Sequence, residues 1–201
     1  MIEWFKKIIL ENFAAITGLL GVGIGGWIAN QQFTRDKKLD FYEKQLREFY
    51  SPLVGIREEI RVLGEFRLEG EQASFKWWEK ICSYGKDLNP DKSQPYYEQE
   101  GKYISTQIKY ENMQLNDKII PGYRKMVQIF LNNYWLAEEE TKKYLPVLIK
   151  FVETWERYLS GMHPMEVIQQ IQVKEEALMP FYAQINETHK KLREKLKNRK
   201  L

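Results

Sequence analysis

The sequence predicts an all-α protein in which a single N-terminal transmembrane helix leads into a cytoplasmic helical bundle of about five or six helices. Three observations carry this expectation. No charged residue occurs between Glu11 and Arg35. From Leu39 to Leu63, apolar residues recur in alternating steps of three and four, the period of one helix face. No segment alternates convincingly with the period of two expected of a strand, and no Asn-Gly or Asp-Gly pair marks a hairpin.

Residues 1–11 form a short flank and residues 12–34 the predicted anchor. Its centre, FAAITGLLGVGIGGWIA (residues 13–29), would span about 25 Å at ~1.5 Å per residue, close to the thickness of the hydrocarbon core. Trp4 and Trp27 fall near the two ends, where indole rings favour the interface. A cleaved leader fits poorly, since a cut after Ala29 would put Trp27 where a small residue is needed. A buried soluble helix would carry five glycines at a cost of about 1 kcal/mol each. Arg35, Lys37, Lys38, Lys44 and Arg47 follow the segment, whereas only Lys6 and Lys7 precede it. That bias places the C-terminal side in the cytoplasm, at the inner membrane of a bacterial-type cell. Small residues repeat along the span at Ala14, Gly18, Gly21, Gly25 and Ala29, a stripe that lets a second helix approach closely and points to a homo-oligomer.

The cytoplasmic domain, residues 35–201, opens with the stripe Leu39, Tyr42, Leu46, Phe49, Leu53, Ile56, Ile60 and Leu63. Pro52 interrupts this helix without shifting its phase, so a kink there, or two helices nearly in line, is expected. Residues 83–96 concentrate Gly, Asp, Asn, Ser and Pro and read as a long loop. Helix is expected again from about Tyr97, with Ile104, Ile108, Leu115 and Ile119 on one face. Pro121 suits the first turn of a helix running to about Tyr134. Glu138, Glu139 and Glu140 suit the start of the next, which would run to Leu159 with a kink at Pro146 and a stop at Gly161. Pro164 opens the last segment, whose second half carries Leu178, Tyr182, Ile185, His189, Leu192 and Leu196 inward.

The net charge of +3 conceals a slightly acidic body and a basic tail, residues 190–201, with Lys190, Lys191, Arg193, Lys195, Lys197, Arg199 and Lys200 against Glu194 alone. A basic footprint over the whole chain, as nucleic-acid binding requires, is missing. The tail suits anionic lipid headgroups, nucleic acid, or simply a solvated helix end complementing its dipole. Cys82 is the sole cysteine, so an intrachain disulfide is excluded, and His163 and His189 are too separated to suggest a metal pair. The sequence contains no phosphate-binding loop, no HExxH and no nucleophile elbow. No catalytic residue, cofactor or metal is therefore expected. Asn132, Asn133, Tyr134 and Trp135 combine amides with aromatic rings and form a candidate ligand pocket, although asparagine equally favours a helix end.

Two stretches, LREFYSPLVGIREEI (residues 46–60) and the run from IKYENMQL (residues 108–115) through NNYWLAEEE to FVETWERYL (residues 151–159), resemble a family of uncharacterised bacterial helical proteins. The resemblance implies one helical domain and carries no functional residue over. The expected role is a membrane-anchored, self-associating interaction or sensing module for an unknown protein or small-molecule ligand. The alternative is a ligand-triggered effector, as in anti-phage defence, that perturbs the membrane on oligomerisation.

Overall fold

The computed structural model describes residues 25–87, 90–162, 164–171 and 175–198 of the chain. All of the described secondary structure is helical. Helix α1 covers residues 25–45 and passes through one π-turn, Leu46–Tyr50, into α2, Ser51–Lys86. Helix α3, Pro90–Gln114, runs back beside α2 and passes through a second π-turn, Leu115–Ile119, into α4, Ile120–Asn132. A 3-10 turn at Tyr134–Leu136 leads to the short α5, Glu139–Lys142, and then to α6, Leu145–Leu159. Helix α7, Met165–Ile171, a 3-10 turn at Glu175–Leu178 and α8, Met179–Lys197, are the last of the described elements.

Both π-turns precede a proline by two residues, and the physical reason is the same. Pro52 has no N–H to offer the carbonyl of Glu48, and its ring would crowd that carbonyl in a regular helix. The wider turn relieves the crowding: the Ser51 N–H returns to the Leu46 carbonyl, five residues back. Pro121 repeats the device, with the Ile120 N–H on the Leu115 carbonyl. The expected kink at Pro52 is therefore a local π-turn, and the apolar stripe stays on the core through it. Leu39, Phe49, Leu53 and Ile60 are buried, and Tyr42, Leu46 and Ile56 pack against them.

The core lies among the first half of α2, α4, α6 and α8. Phe49, Leu53, Met126, Phe130, Leu148, Val152, Phe181, Ile185 and Leu192 are fully buried there. Arg124 ties α4 to α6 through Glu153 Oε1 at 2.7 Å and through Glu156. Beyond about residue 63, α2 leaves this core and runs beside α3, forming a two-helix arm. Between residues 64 and 114, Ile81 and Gly85 are the buried positions among the described residues.

Three sequence expectations change. The long loop at 83–96 is replaced by helix up to Lys86 and again from Pro90, seven residues before the expected restart. Pro90 stands first in α3, where its missing N–H would have no helical partner anyway. Gly85 serves packing rather than a turn: a Cβ there would collide with the Tyr97 ring and hydroxyl. Likewise, Pro146 does not kink one helix from Glu138 to Leu159. It lies in the first turn of α6, after a turn at residues 143–144 that separates α6 from α5. The last segment is divided in the same way, with Pro180 in the first turn of α8. Gly161 ends α6 as expected. Its φ of 74° and the bonds Gly161 N–H to Tyr158 carbonyl, 2.9 Å, and Met162 N–H to Arg157 carbonyl, 3.0 Å, form a Schellman closure.

Candidate interaction surfaces

The C-terminal end of α8 packs beside the C-terminal part of α1 at one end of the bundle. Helix α8 runs antiparallel to α1 and the start of α2: His189 Nε2 lies 3.2 Å from Ser51 Oγ, and Lys195 Nζ lies 4.5 Å from the centre of the Tyr42 ring. The last two turns of α8 thus climb α1 toward its N-terminal part. Lys190, Arg193 and Lys197, spaced three and four apart, share one face of α8 and line a shallow groove of about 560 Å³ with Leu46, His189, Glu194 and Leu196. Arg35, Lys37, Lys38 and Lys44 are exposed on α1 above the same end. Burial, and then the charge of Arg193, hold the His189 imidazole below its usual pKa, so it is a neutral packing residue at this end.

Of the predicted association stripe, Ala14, Gly18 and Gly21 lie outside the described residues, as do residues 12–24 of the predicted span. Gly25 and Ala29 are exposed on α1, and a Cβ at Gly25 would meet nothing within 4 Å. Trp27 and Phe33 stand 62% and 58% exposed on the same helix. Among the described residues, no helix is long and apolar enough to cross a membrane.

Asn132, Asn133, Tyr134 and Trp135 form an outward corner. Asn132, Tyr134 and Trp135 are exposed, and Asn133 donates its side-chain amide to the Glu48 carbonyl at 3.2 Å. That carbonyl is the one Pro52 leaves without an α-helical partner, so Asn133 serves the fold. Trp135 stacks against Phe41 with ring centres 5.9 Å apart and lies beneath Lys44, and Tyr134 lies beneath Lys142. Gln45 completes the junction, donating to the Leu136 carbonyl at 2.7 Å.

Sequence reasoning missed a polar chain at the edge of the core. Tyr182 Oη donates to Tyr123 Oη at 2.9 Å, and Tyr123 Oη donates to Glu175 Oε1 at 2.7 Å. The Arg57 guanidinium covers the Tyr182 ring at 4.0 Å and lies 3.7 Å from Glu175. Burial raises both phenol pKa values, and each hydroxyl stays protonated as a donor. A tyrosine held so far from ionisation is suited to tying the Glu175–Leu178 turn to α2, α4 and α8, not to acting as a base. Nothing in the local spacing of these four residues signals the network, because they come from four elements.

A second groove, about 840 Å³, lies where the arm meets the bundle, lined by Arg67, Asn112, Asn116, Trp155 and Tyr158 among others. Among the described residues, no group of three or more His, Cys, Asp or Glu side chains is placed to hold a metal ion. Cys82 is half-buried on α2, and its carbonyl accepts a hydrogen bond from Tyr97 Oη at 3.2 Å. His163 lies outside the described residues. No protein-family model matches the chain, and neither does any curated protein or solved structure.

Proposed function

We propose that the chain is a single-pass protein of the inner membrane whose helical domain faces the cytoplasm and works as a self-associating interaction or sensing module without catalytic activity. The observation that carries this reading is the gathering of cationic side chains from α1 and α8 at one end of the bundle. That end lies directly below the predicted span, residues 12–34. Cytoplasmic flanks of membrane helices are rich in Lys and Arg, and here the fold adds a second set from the far end of the chain. Self-association rests on the stripe Ala14, Gly18, Gly21, Gly25 and Ala29, of which Gly25 presents an open face. The arm, with its exposed rings, offers a surface for a protein or small-molecule ligand.

The test uses the full chain in bacterial membranes. A reporter active only in the cytoplasm, fused after Leu201, is expected to work, and crosslinking is expected to trap an oligomer. Changing Gly21 and Gly25 together to Leu should reduce that oligomer while leaving insertion level or better, because bulk blocks close helix approach yet adds hydrophobicity. An outward-facing C-terminus overturns the topology, and an undiminished oligomer overturns the glycine stripe.

A further inference from the structure

We propose that the groove between α8 and the α1–α2 junction is a docking site for anionic phospholipid headgroups, so that the C-terminal helix clamps the domain against an anionic bilayer. The inference rests on the membrane reading above and adds to it a ligand class and a second point of attachment.

The groove has the chemistry of an amphiphile site. Its rim presents Lys190, Arg193 and Lys197, all exposed, and its floor includes Leu46 and Leu196, both half-buried. Lysine and arginine stems lie along apolar surface while their charged heads reach outward, which suits a phosphate above an acyl chain better than a free anion in water. Glu194 is the one carboxylate on the rim, leaving three cations against one anion. Lys191 is engaged elsewhere, with Glu187 Oε1 at 2.6 Å.

Position argues the same way. Lys195 sits at the level of Tyr42, eight residues beyond Thr34, which places it about 12 Å below the end of the predicted span at ~1.5 Å per residue. Lys197 stands nearly one half-turn nearer. The headgroup layer adds roughly 5–8 Å outside the hydrocarbon core, and long basic side chains cover the remaining gap. Arg193 and Lys190 lie about 3 and 8 Å deeper along α8 at ~1.5 Å per residue, so they engage lipid only when α1 tilts far enough to lay this face of the domain against the bilayer. The bilayer is thus the nearest anionic surface to this groove. Nucleic acid would have to enter beneath the membrane to contact it.

The experiment uses the full chain with Cys82→Ser and Asn198→Cys, labelled at the new thiol with an environment-sensitive dye and reconstituted into nanodiscs. In discs containing phosphatidylglycerol, the dye is expected to report an apolar setting and to be quenched by headgroup-borne quencher; in phosphatidylcholine alone it should not. High salt should reverse the effect, since the attraction is screened beyond a Debye length of about 8–10 Å. Neutralising Lys190, Arg193 and Lys197 to Gln, singly and then together, should lower the ratio of lipid-facing to free helix by roughly fivefold per charge, from about 1 kcal/mol each. The same dye response in both disc types overturns the proposal. So does a response to inorganic phosphate in neutral discs that matches the response to anionic lipid, which would identify a free-phosphate site. Alkaline extraction of the same discs reads the span alone. A chain retained there with a lipid-independent dye refutes the clamp and spares the anchor, whereas a chain released there refutes the anchor.

Discussion

Phe49, Phe130 and Phe181 are fully buried in the bundle, whereas Phe66 and Phe75, the two phenylalanines of the arm, stand 73% and 64% exposed. Both regions are helical, but α3 is more polar and less sharply two-faced than α4 or α6. The number of neighbours differs as well. In the bundle, α2 is flanked by α4 and α8, and its apolar face is enclosed on more than one side. Along the arm, α2 packs against α3, and two cylinders in contact cover only a narrow strip of each other. Much of that strip is polar or small: Ser74 donates to Gln107, Gly70 faces Gln107, and Arg67 lies 3.7 Å from Glu111. Aromatic contacts then hold the strip toward its tip, with Trp77 on Tyr103, Trp78 on Tyr97 and Tyr84 on Tyr96. The lesson is that a helix can carry enough apolar side chains for a core and still not form one.

The comparison predicts a graded response to substitution. The largest effect should come from Leu148→Ala, which empties a fully enclosed site between α4 and α6: about 3–5 kcal/mol lost in chemical denaturation. A loss below about 1 kcal/mol would mean that the bundle is no better packed than the arm. A smaller effect, about 1–2 kcal/mol, is expected for Gly85→Ala, because its new methyl collides with Tyr97 and displaces the bond to the Cys82 carbonyl. Hydrogen exchange should locate that loss at the end of α2 and the start of α3 and leave α4, α6 and α8 protected. Tyr97→Ala combined with it should cost less than the sum of the two single changes, as expected for residues in contact. Uniform loosening across the bundle would instead show that arm and bundle unfold as one unit. The smallest effect belongs to Phe66→Gln. A side chain already in water gives up little on becoming polar, so stability should stay within about 0.5 kcal/mol. A drop of several kcal/mol there would reveal that the exposed face of the arm is covered in solution.

Helix existence was legible from periodicity, and the core positions Phe49, Leu53, Ile60 and Ile185 follow from it. Helix ends were less legible wherever proline or glycine had two meanings. Pro90, Pro146 and Pro180 each open a helix, a role distinguishable from breaking one only when the preceding turn is known. Gly85 reads as loop until Tyr97, twelve residues on, is seen to need the space. Asn133 illustrates the limit for site prediction. Its purpose depends on a carbonyl set free by Pro52, and nothing within ten residues of Asn133 announces that need. The basic tail was visible as composition, but its placement beside α1 was not, because antiparallel packing of α8 on α1 joins residues some 150 positions apart.

From residue 25 to Lys86 the backbone follows one helical path, interrupted by a single π-turn. At ~1.5 Å per residue that path is about 90 Å long. It therefore behaves as an axle. Twist applied near Gly25 is delivered, through backbone hydrogen bonds rather than through a hinge, to the rings at the far tip of the arm. Its sense of rotation is also fixed by arithmetic: removing or adding one residue within 25–38, before the first buried position at Leu39, turns whatever precedes it by about 100° relative to the bundle and the arm. A partner gripping the arm and a neighbour gripping the other end would each feel the angular position of the other.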